Sequence, residues 1–143
     1  MTASTGKSIL MLEDDTDRID SFSEVLHKNA HGSLLLHWCT APTFIRGYLD
    51  RKEEPQLIAL DHDLIADTVD APDPGDGRDV AEFLATQAPC CPILIHSTNT
   101  PCAQSMELTL RDNGWQVSRL MPMGDDRIQE FWWPQAKDIL PVL

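Results

Sequence analysis

Three short apolar segments of this 143-residue chain each end in residues that can bind a metal ion or carry protons. The segments are residues 9–12, 57–60 and 93–95, and the polar residues that follow them are Glu13-Asp14-Asp15, Asp61-His62-Asp63 and His96-Ser97. Strands of a parallel sheet are buried on both faces and read as continuous apolar runs, and ligands bind just beyond their carboxyl ends. The pattern therefore predicts that the three polar groups meet in one crevice.

The acids at these positions favour a metal site. Glu13, Asp14 and Asp61 would bring up to three negative charges within a few ångströms, and carboxylates this close have raised pKa values or recruit a cation. Mg²⁺ (or Mn²⁺) suits such a pocket, because it takes one or two carboxylates and keeps waters and phosphate oxygens as its other ligands. For any single acid, the alternative is a strand-end turn that faces water.

His62 and His96 are candidates for proton transfer. A neutral histidine can give or take a proton near neutral pH, and cleavage of a phosphoester requires protonation of the departing oxygen. Strand side chains alternate, so His62 is expected to point away from Asp61, and His96 away from Ser97. Both rings would then leave the acid pocket and approach one another. A structural role, with one ring nitrogen bonded to a carbonyl, is the open alternative.

The residues after the apolar segment at residues 93–95 can bind phosphate. Ser97 and Asn99 can donate hydrogen bonds to phosphate oxygens, and a helix that begins near Thr100 has free backbone N–H groups in its first turn. We therefore expect Ser97, Thr98 and Asn99 to form a phosphate cradle. Capping of the helix by residues 97–100 is the alternative, and it is compatible with phosphate binding.

Composition limits the classes of partner. The hydrophobic fraction of 42% is enough for one packed core, so we expect a single domain over residues 8–143 after a flexible, polar tail at residues 1–7. A net charge of -12 argues against duplex DNA, because binding to the phosphate backbone needs clustered Lys and Arg. No apolar run approaches the 18 or so residues of a membrane span, so a cytoplasmic protein without membrane contact is expected.

The apolar spacing alternates between strand and helix along the chain. Strands are predicted at residues 9–12, 34–38, 57–60, 93–95 and 115–120. Helices are predicted around residues 19–26, 44–49, 80–84, 100–112 and 128–132, and residues 66–78 read as a polar loop. Because a parallel crossover needs a helix, this order predicts a doubly wound, five-stranded parallel α/β domain.

These residues resemble the receiver domain of bacterial response regulators. Glu13 and Asp14 match the family's acidic pair, Asp61 matches the phosphorylated Asp, and Ser97 matches the hydroxyl residue after strand four. The resemblance implies a flavodoxin-like three-layer sandwich with strand order 2-1-3-4-5 and a site between strands one and three. It also implies that a metal ligand comes from the backbone near Asp63.

One position departs from the receiver pattern. Met121-Pro122 stands where receivers carry Lys-Pro, and that Lys neutralises the charge of the acyl phosphate. Arg119 lies two residues earlier, on the same face of the predicted strand, and is a candidate replacement. The missing Lys counts against ordinary phosphorylation switching.

A second, closer resemblance comes from two four-residue motifs. Residues 61–64 (Asp-His-Asp-Leu) and residues 96–99 (His-Ser-Thr-Asn) resemble the cyclic-phosphate-processing receiver-like family. Members of this family are stand-alone relatives of receivers and are inferred to act on cyclic phosphates, such as those at nucleotide or RNA ends.

The second resemblance implies a metal-dependent phosphoesterase. In such an enzyme, water attacks the phosphorus, or Asp61 attacks it directly, and His62 or His96 protonates the leaving oxygen. Its partner would be a phosphate-containing small molecule or an RNA end. The alternative is an atypical stand-alone receiver that signals through a protein partner, with or without phosphorylation at Asp61.

Overall fold

A five-stranded parallel sheet forms the centre of the computed structural model, which describes residues 8–29, 34–61, 64, 73–96 and 100–119. The elements in chain order are β1 (Ser8–Leu12), α1 (Thr16–Asn29), β2 (Leu34–Trp38), α2 (Ala41–Asp50), β3 (Leu57–Leu60), α3 (Gly77–Leu84), β4 (Ile93–Ile95), α4 (Thr100–Arg111) and β5 (Val117–Arg119). The strand order is β2-β1-β3-β4-β5, so the predicted doubly wound α/β fold and its order 2-1-3-4-5 are confirmed.

Helices cover both faces of the sheet. Every residue of β1, β3 and β4 is buried, which explains why these strands are apolar in sequence apart from Ser8 at the start of β1. Leu10, Leu12 and Leu60 lie in an apolar cluster with side chains of α2, α3 and α4. Met11 and Ala59 belong to a second cluster, with side chains of α1. Alternate residues of a strand therefore face α1 on one side and the other three helices on the opposite side.

The backbone ladder continues one residue beyond three of the strands. Glu13, Asp61 and His96 are the residues directly after β1, β3 and β4. Their N–H groups donate to the last carbonyl of a neighbouring strand, at 3.1 Å for Glu13 to Trp38, 3.1 Å for Asp61 to Leu12 and 2.9 Å for His96 to Leu60. These bonds hold the three residues in one row at the carboxyl edge of the sheet.

Helix α3 begins earlier than the sequence indicated. The prediction placed residues 66–78 in a loop, whereas α3 starts at Gly77, so the end of that loop is wrong. Asp76 and Asp79 form a capping box in which each carboxylate accepts the backbone N–H of the other residue at 3.1 Å. Two of the acidic residues near the predicted loop, Asp76 and Asp79, therefore form the start of a helix.

Strand β5 is shorter than predicted, because its expected first residue has a different role. Trp115 lies before the strand and is buried, and its indole N–H donates to the carbonyl of Leu84 at 3.0 Å. α4 ends at Arg111, and Gly114, with a positive φ of 92°, turns the chain from the end of the helix toward this position. Gly114 thus confirms the predicted end of the fourth helix.

Both ends of the chain contain predictions that the structure does not cover. The tail at residues 1–7 and the last helix around residues 128–132 lie outside the described residues. None of the helices described here combines the length and the apolar character that crossing a membrane requires.

The capping box can be tested by changing one atom group at a time. Asp76→Ala is expected to lower the free energy of unfolding by about 1 kcal/mol, because it removes the carboxylate that accepts the N–H of Asp79. Asp76→Asn keeps an oxygen acceptor and should retain most of this stability. Urea denaturation of both variants provides the measurement. An equal decrease in the free energy of unfolding in the two variants would show that the capping hydrogen bond contributes little.

Candidate functional site

Three carboxylates meet at the carboxyl edge of the sheet. Glu13, Asp14 and Asp61 each offer one oxygen, and these oxygens lie within 4.8 Å of one another. We call these residues the acidic group. Glu13 is buried, with 1% of its surface exposed, whereas Asp14 and Asp61 are half-exposed. The group therefore has a buried side and a side open to solvent.

The fold explains why these three acids come together. Glu13 and Asp61 continue the alternation of Met11 and Ala59, so they belong to the α1 side of the sheet. Parallel pairing of β1 with β3 places them side by side. The structure thus unites three of the four residues predicted as metal ligands, and the fourth, Asp63, lies outside the described residues.

The third acid of the run after β1 has a structural role. The Asp15 carboxylate accepts the N–H groups of Asp17 at 3.0 Å and of Arg18 at 3.2 Å, which caps the first turn of α1. The Asp15 N–H in turn donates to Oε2 of Glu13 at 3.2 Å. One short acidic segment therefore supplies two members of the acidic group and the start of the helix that covers them.

Glu13 is held from its buried side. Its Oε1 lies 3.0 Å from Nε2 of His96 and 3.4 Å from Nε of Arg18. Burial raises the pKa of Glu13, but the hydrogen bond and charge interaction with His96, the Arg18 guanidinium and the Asp15 N–H outweigh it and leave the pKa below its ordinary value. Glu13 is therefore ionised at neutral pH, which is the state that binds a cation.

His96 does not point where the sequence indicated. The prediction had its ring leave the acid pocket, whereas the ring lies against Glu13 and packs on Phe22, with centroids 5.3 Å apart. The side chain has 0% of its surface exposed. Its Nδ1 is buried, and within residues 8–29, 34–61, 64, 73–96 and 100–119 no group forms a hydrogen bond with it. The predicted direction is therefore wrong.

The error came from the register between strands. Alternation within one strand says that the His96 side chain points to the opposite side of the sheet from the residues next to it in sequence. It does not say which residue of the neighbouring strand β3 lies level with His96. In the structure Leu60 pairs with Ile95, so His96 is level with Asp61 and shares its side of the sheet. The acidic group and His96 are therefore on one face, toward α1.

Arg18 is a site residue that the sequence did not reveal. It lies in the first turn of α1, contacts Glu13 at 3.4 Å and is 11% exposed in its side chain. A charged residue on a helix usually faces water, so its type alone gives no signal. Its place in the first turn of the helix after β1 is the feature that could have identified it, because that turn stands beside the end of the strand.

Arg119, the candidate replacement for the receiver Lys, is engaged elsewhere. Its Nε lies 2.8 Å from the carboxylate of Glu107 on α4, and Arg111 contacts the second oxygen of that carboxylate at 2.8 Å. Arg119 pairs with Ile95 in the sheet, and Ile95 belongs to the apolar cluster on the side of α2, α3 and α4. Arg119 thus belongs to the face opposite the acidic group.

The remaining predicted site residues are not covered. His62, Ser97, Thr98 and Asn99 lie outside the described residues, so their roles stay predictions. The helix expected after them does begin at Thr100.

Solved structures of response-regulator receivers are similar to the whole fold. The receiver domain of HemR from Leptospira biflexa has a TM-score of 0.66 at 20% identity, covering 96% of each chain. A CheY-like receiver from Methanospirillum hungatei JF-1 has a TM-score of 0.65 at 18% identity, covering 94% of this chain and 93% of its own. TrrA from Thermotoga maritima, in complex with Mg²⁺ and BeF, has a TM-score of 0.66 at 12% identity, covering 94% of this chain and 99% of its own. At these identities the likeness shows the fold alone.

A family model identifies the chain more closely. No curated protein is a significant match. The model described as the cyclic-phosphate processing receiver domain matches residues 9–112, which is more than half of the chain and includes the acidic group, Arg18 and His96. The chain therefore belongs to the cyclic-phosphate processing receiver domain family.

Proposed function

We propose that this protein is a metal-dependent phosphoesterase that opens cyclic phosphates, of the kind found on nucleotides or at RNA ends, in the cytoplasm. The acidic group carries the proposal, since three carboxylate oxygens within 4.8 Å of one another can bind one cation, which would offset their repulsion. Membership of the family supplies the class of substrate. The chain's net charge of -12 disfavours duplex DNA as the partner.

The donor set suits Mg²⁺ or Mn²⁺. All three donors are hard carboxylate oxygens, one buried and two half-exposed, which leaves one side open for waters and phosphate oxygens. TrrA, which shares the fold, has been solved with Mg²⁺ and BeF, and this supports a cation in the corresponding region here. Such an ion would neutralise developing charge on the phosphoryl oxygens.

The chain's own residues divide the work between binding and chemistry. Glu13 is kept ionised by the groups behind it, while Asp14 and Asp61 face the open side. In the proposed reaction a water oxygen attacks phosphorus and releases one proton to solvent, one ring P–O bond breaks, and the departing oxygen gains a proton from a side chain, which leaves a phosphomonoester. His62 is the proposed proton donor for this step.

A variant of the reaction uses Asp61 as the nucleophile. Its carboxylate would attack phosphorus and break the ring P–O bond, and water would then hydrolyse the acyl phosphate and restore the free carboxylate. Ser97, Thr98 and Asn99 are proposed to hold the phosphate oxygens in either variant, through their side chains and the first turn of α4.

The second candidate function is a stand-alone receiver that binds a protein partner. The likeness to receivers over most of the chain favours it, as does the half-exposed Asp61 at the carboxyl end of β3. Loss of the receiver Lys, replaced by Met121, weighs against a stable acyl phosphate. The two functions differ in one observable property, which is turnover.

Turnover should depend on Asp61. We expect hydrolysis of a 2′,3′-cyclic nucleotide in the presence of Mg²⁺, and a loss of about 100-fold or more in Asp61→Asn, because the change removes a carboxylate worth several kcal/mol to the reaction. Asp20→Asn is the matched control, since it removes the same charge from an exposed position on α1. Product formation is followed by chromatography of the nucleotide.

The same assay separates the two functions. If the wild-type protein does not turn over the cyclic nucleotide but forms a stable acyl phosphate from acetyl phosphate, with Asp61→Asn unlabelled, the receiver function is correct and the phosphoesterase proposal fails.

Mg²⁺ should stabilise the fold through the acidic group. At a concentration about 100 times its dissociation constant, a cation that binds only the folded state adds about 2.7 kcal/mol to the free energy of unfolding. Asp14→Asn is expected to lose most of this increment, while Asp20→Asn keeps it. Urea unfolding with Mg²⁺ and with EDTA measures the difference. A wild-type stability that does not change with Mg²⁺ would contradict the metal site.

A further inference from the structure

We propose that His96 is a positioning residue, which fixes the Glu13 carboxylate for metal binding, and that it does not donate the proton to the leaving group. The inference rests on the metal site of the proposed function and assigns a role within it. The inference follows from three features of the His96 ring, which are the contacts of its two nitrogens, its burial, and its position in the sheet relative to Glu13.

The hydrogen bond between His96 and Glu13 spans a strand. β3 lies between β1 and β4, so the backbones of these residues are about 10 Å apart, two strand spacings of the parallel sheet. Both side chains must extend toward each other beneath β3 to bring Nε2 within 3.0 Å of Oε1. A long carboxylate side chain at a strand end is thereby tied at its tip to a second strand.

The ring has no route to a substrate in this arrangement. A proton donor must come within hydrogen-bond distance of the leaving oxygen, directly or through one water. The His96 side chain has 0% of its surface exposed, its Nε2 is bonded to Glu13, and Phe22 packs on the ring. The open side of the acidic group is formed instead by Asp14 and Asp61.

The second ring nitrogen indicates which bond matters. Donation to a carboxylate requires a hydrogen on Nε2, and Nδ1 is buried without a hydrogen-bond partner among the described residues. A buried polar atom without a hydrogen bond costs about 1–3 kcal/mol. A Leu at position 96 would avoid that cost, but among the described residues it would leave Oε1 of Glu13 only the contact with Arg18 at 3.4 Å. The hydrogen bond from Nε2–H to Glu13 therefore best explains why a histidine is found at position 96.

A titration with Mn²⁺, followed by electron paramagnetic resonance of the free ion, tests this role without requiring activity. Loss of an outer hydrogen bond to a metal ligand weakens affinity about 10- to 100-fold, which is the expected effect of His96→Leu. His96→Gln should restore most of the affinity over the Leu variant, because its amide N–H can reach the place of Nε2. Phe22→Leu is the control, since it removes the ring contact and keeps the bond to Glu13.

Turnover provides the second readout. If His96 only positions Glu13, activity lost in His96→Leu returns as Mg²⁺ is raised toward saturation, whereas loss of a proton donor persists at saturating Mg²⁺. Unchanged Mn²⁺ affinity in His96→Leu, a Gln variant no better than Leu, or a loss that high Mg²⁺ does not repair would each overturn the inference.

The outcomes for the two proposals can be told apart. Wild-type protein that binds Mn²⁺ in a His96-dependent manner but shows no turnover would sink the phosphoesterase function and leave the positioning role standing. Wild-type protein that hydrolyses the cyclic nucleotide, with a Mn²⁺ affinity insensitive to position 96, would do the reverse. Wild-type protein that binds no Mn²⁺ would overturn both.

Discussion

The backbone hydrogen bonds just past the ends of β1, β3 and β4 decide where Glu13, Asp61 and His96 lie. They carry the ladder on to Glu13, Asp61 and His96, so residues far apart in the chain share one row and one side of the sheet. Side chains placed this way need no flexible loop to bring them together. The acidic group and the ring behind it therefore have positions as fixed as the core, which suits a site that must hold a cation in a set geometry.

Much of the fold follows from burial. Strands covered on both faces must be apolar throughout, so β3 and β4 have the bounds that the sequence predicted. The bounds of β2 are also as predicted, although this strand lies at the edge of the sheet and is partly exposed. The start of α3 was missed because Asp76 suits a solvated loop and a helix cap equally well, and only the N–H groups of the helix distinguish the two. β5 was predicted too long because Trp115 is apolar, although a hydrogen bond to α3 holds it outside the strand.

The sequence predicts which site residues follow a strand, but not the contacts that depend on how strands and helices pack together. Glu13 and Asp61 follow apolar runs, and parallel strands bring such positions together, so their convergence could be read from the sequence. The direction of His96 depends on the register between β3 and β4, which no pattern within either strand records. Arg18 could not be singled out either, because its contact with Glu13 depends on how α1 packs against the sheet.

The placement of the positive charge among the described residues bears on the choice between the two proposed functions. In receivers, as the resemblance implies, a Lys after strand five neutralises an acyl phosphate on the open side of the pocket. Here the guanidinium of Arg18 contacts Glu13 from its buried side, and Arg119 is paired with Glu107 on the opposite face. His96 and, to a smaller extent, Arg18 lower the pKa of Glu13 from its buried side, and Arg18 contacts the acidic group away from the side to which Asp14 and Asp61 are partly open. That arrangement favours holding an exchangeable metal ion over preserving a phosphoryl group, and hence turnover over storage of a signal.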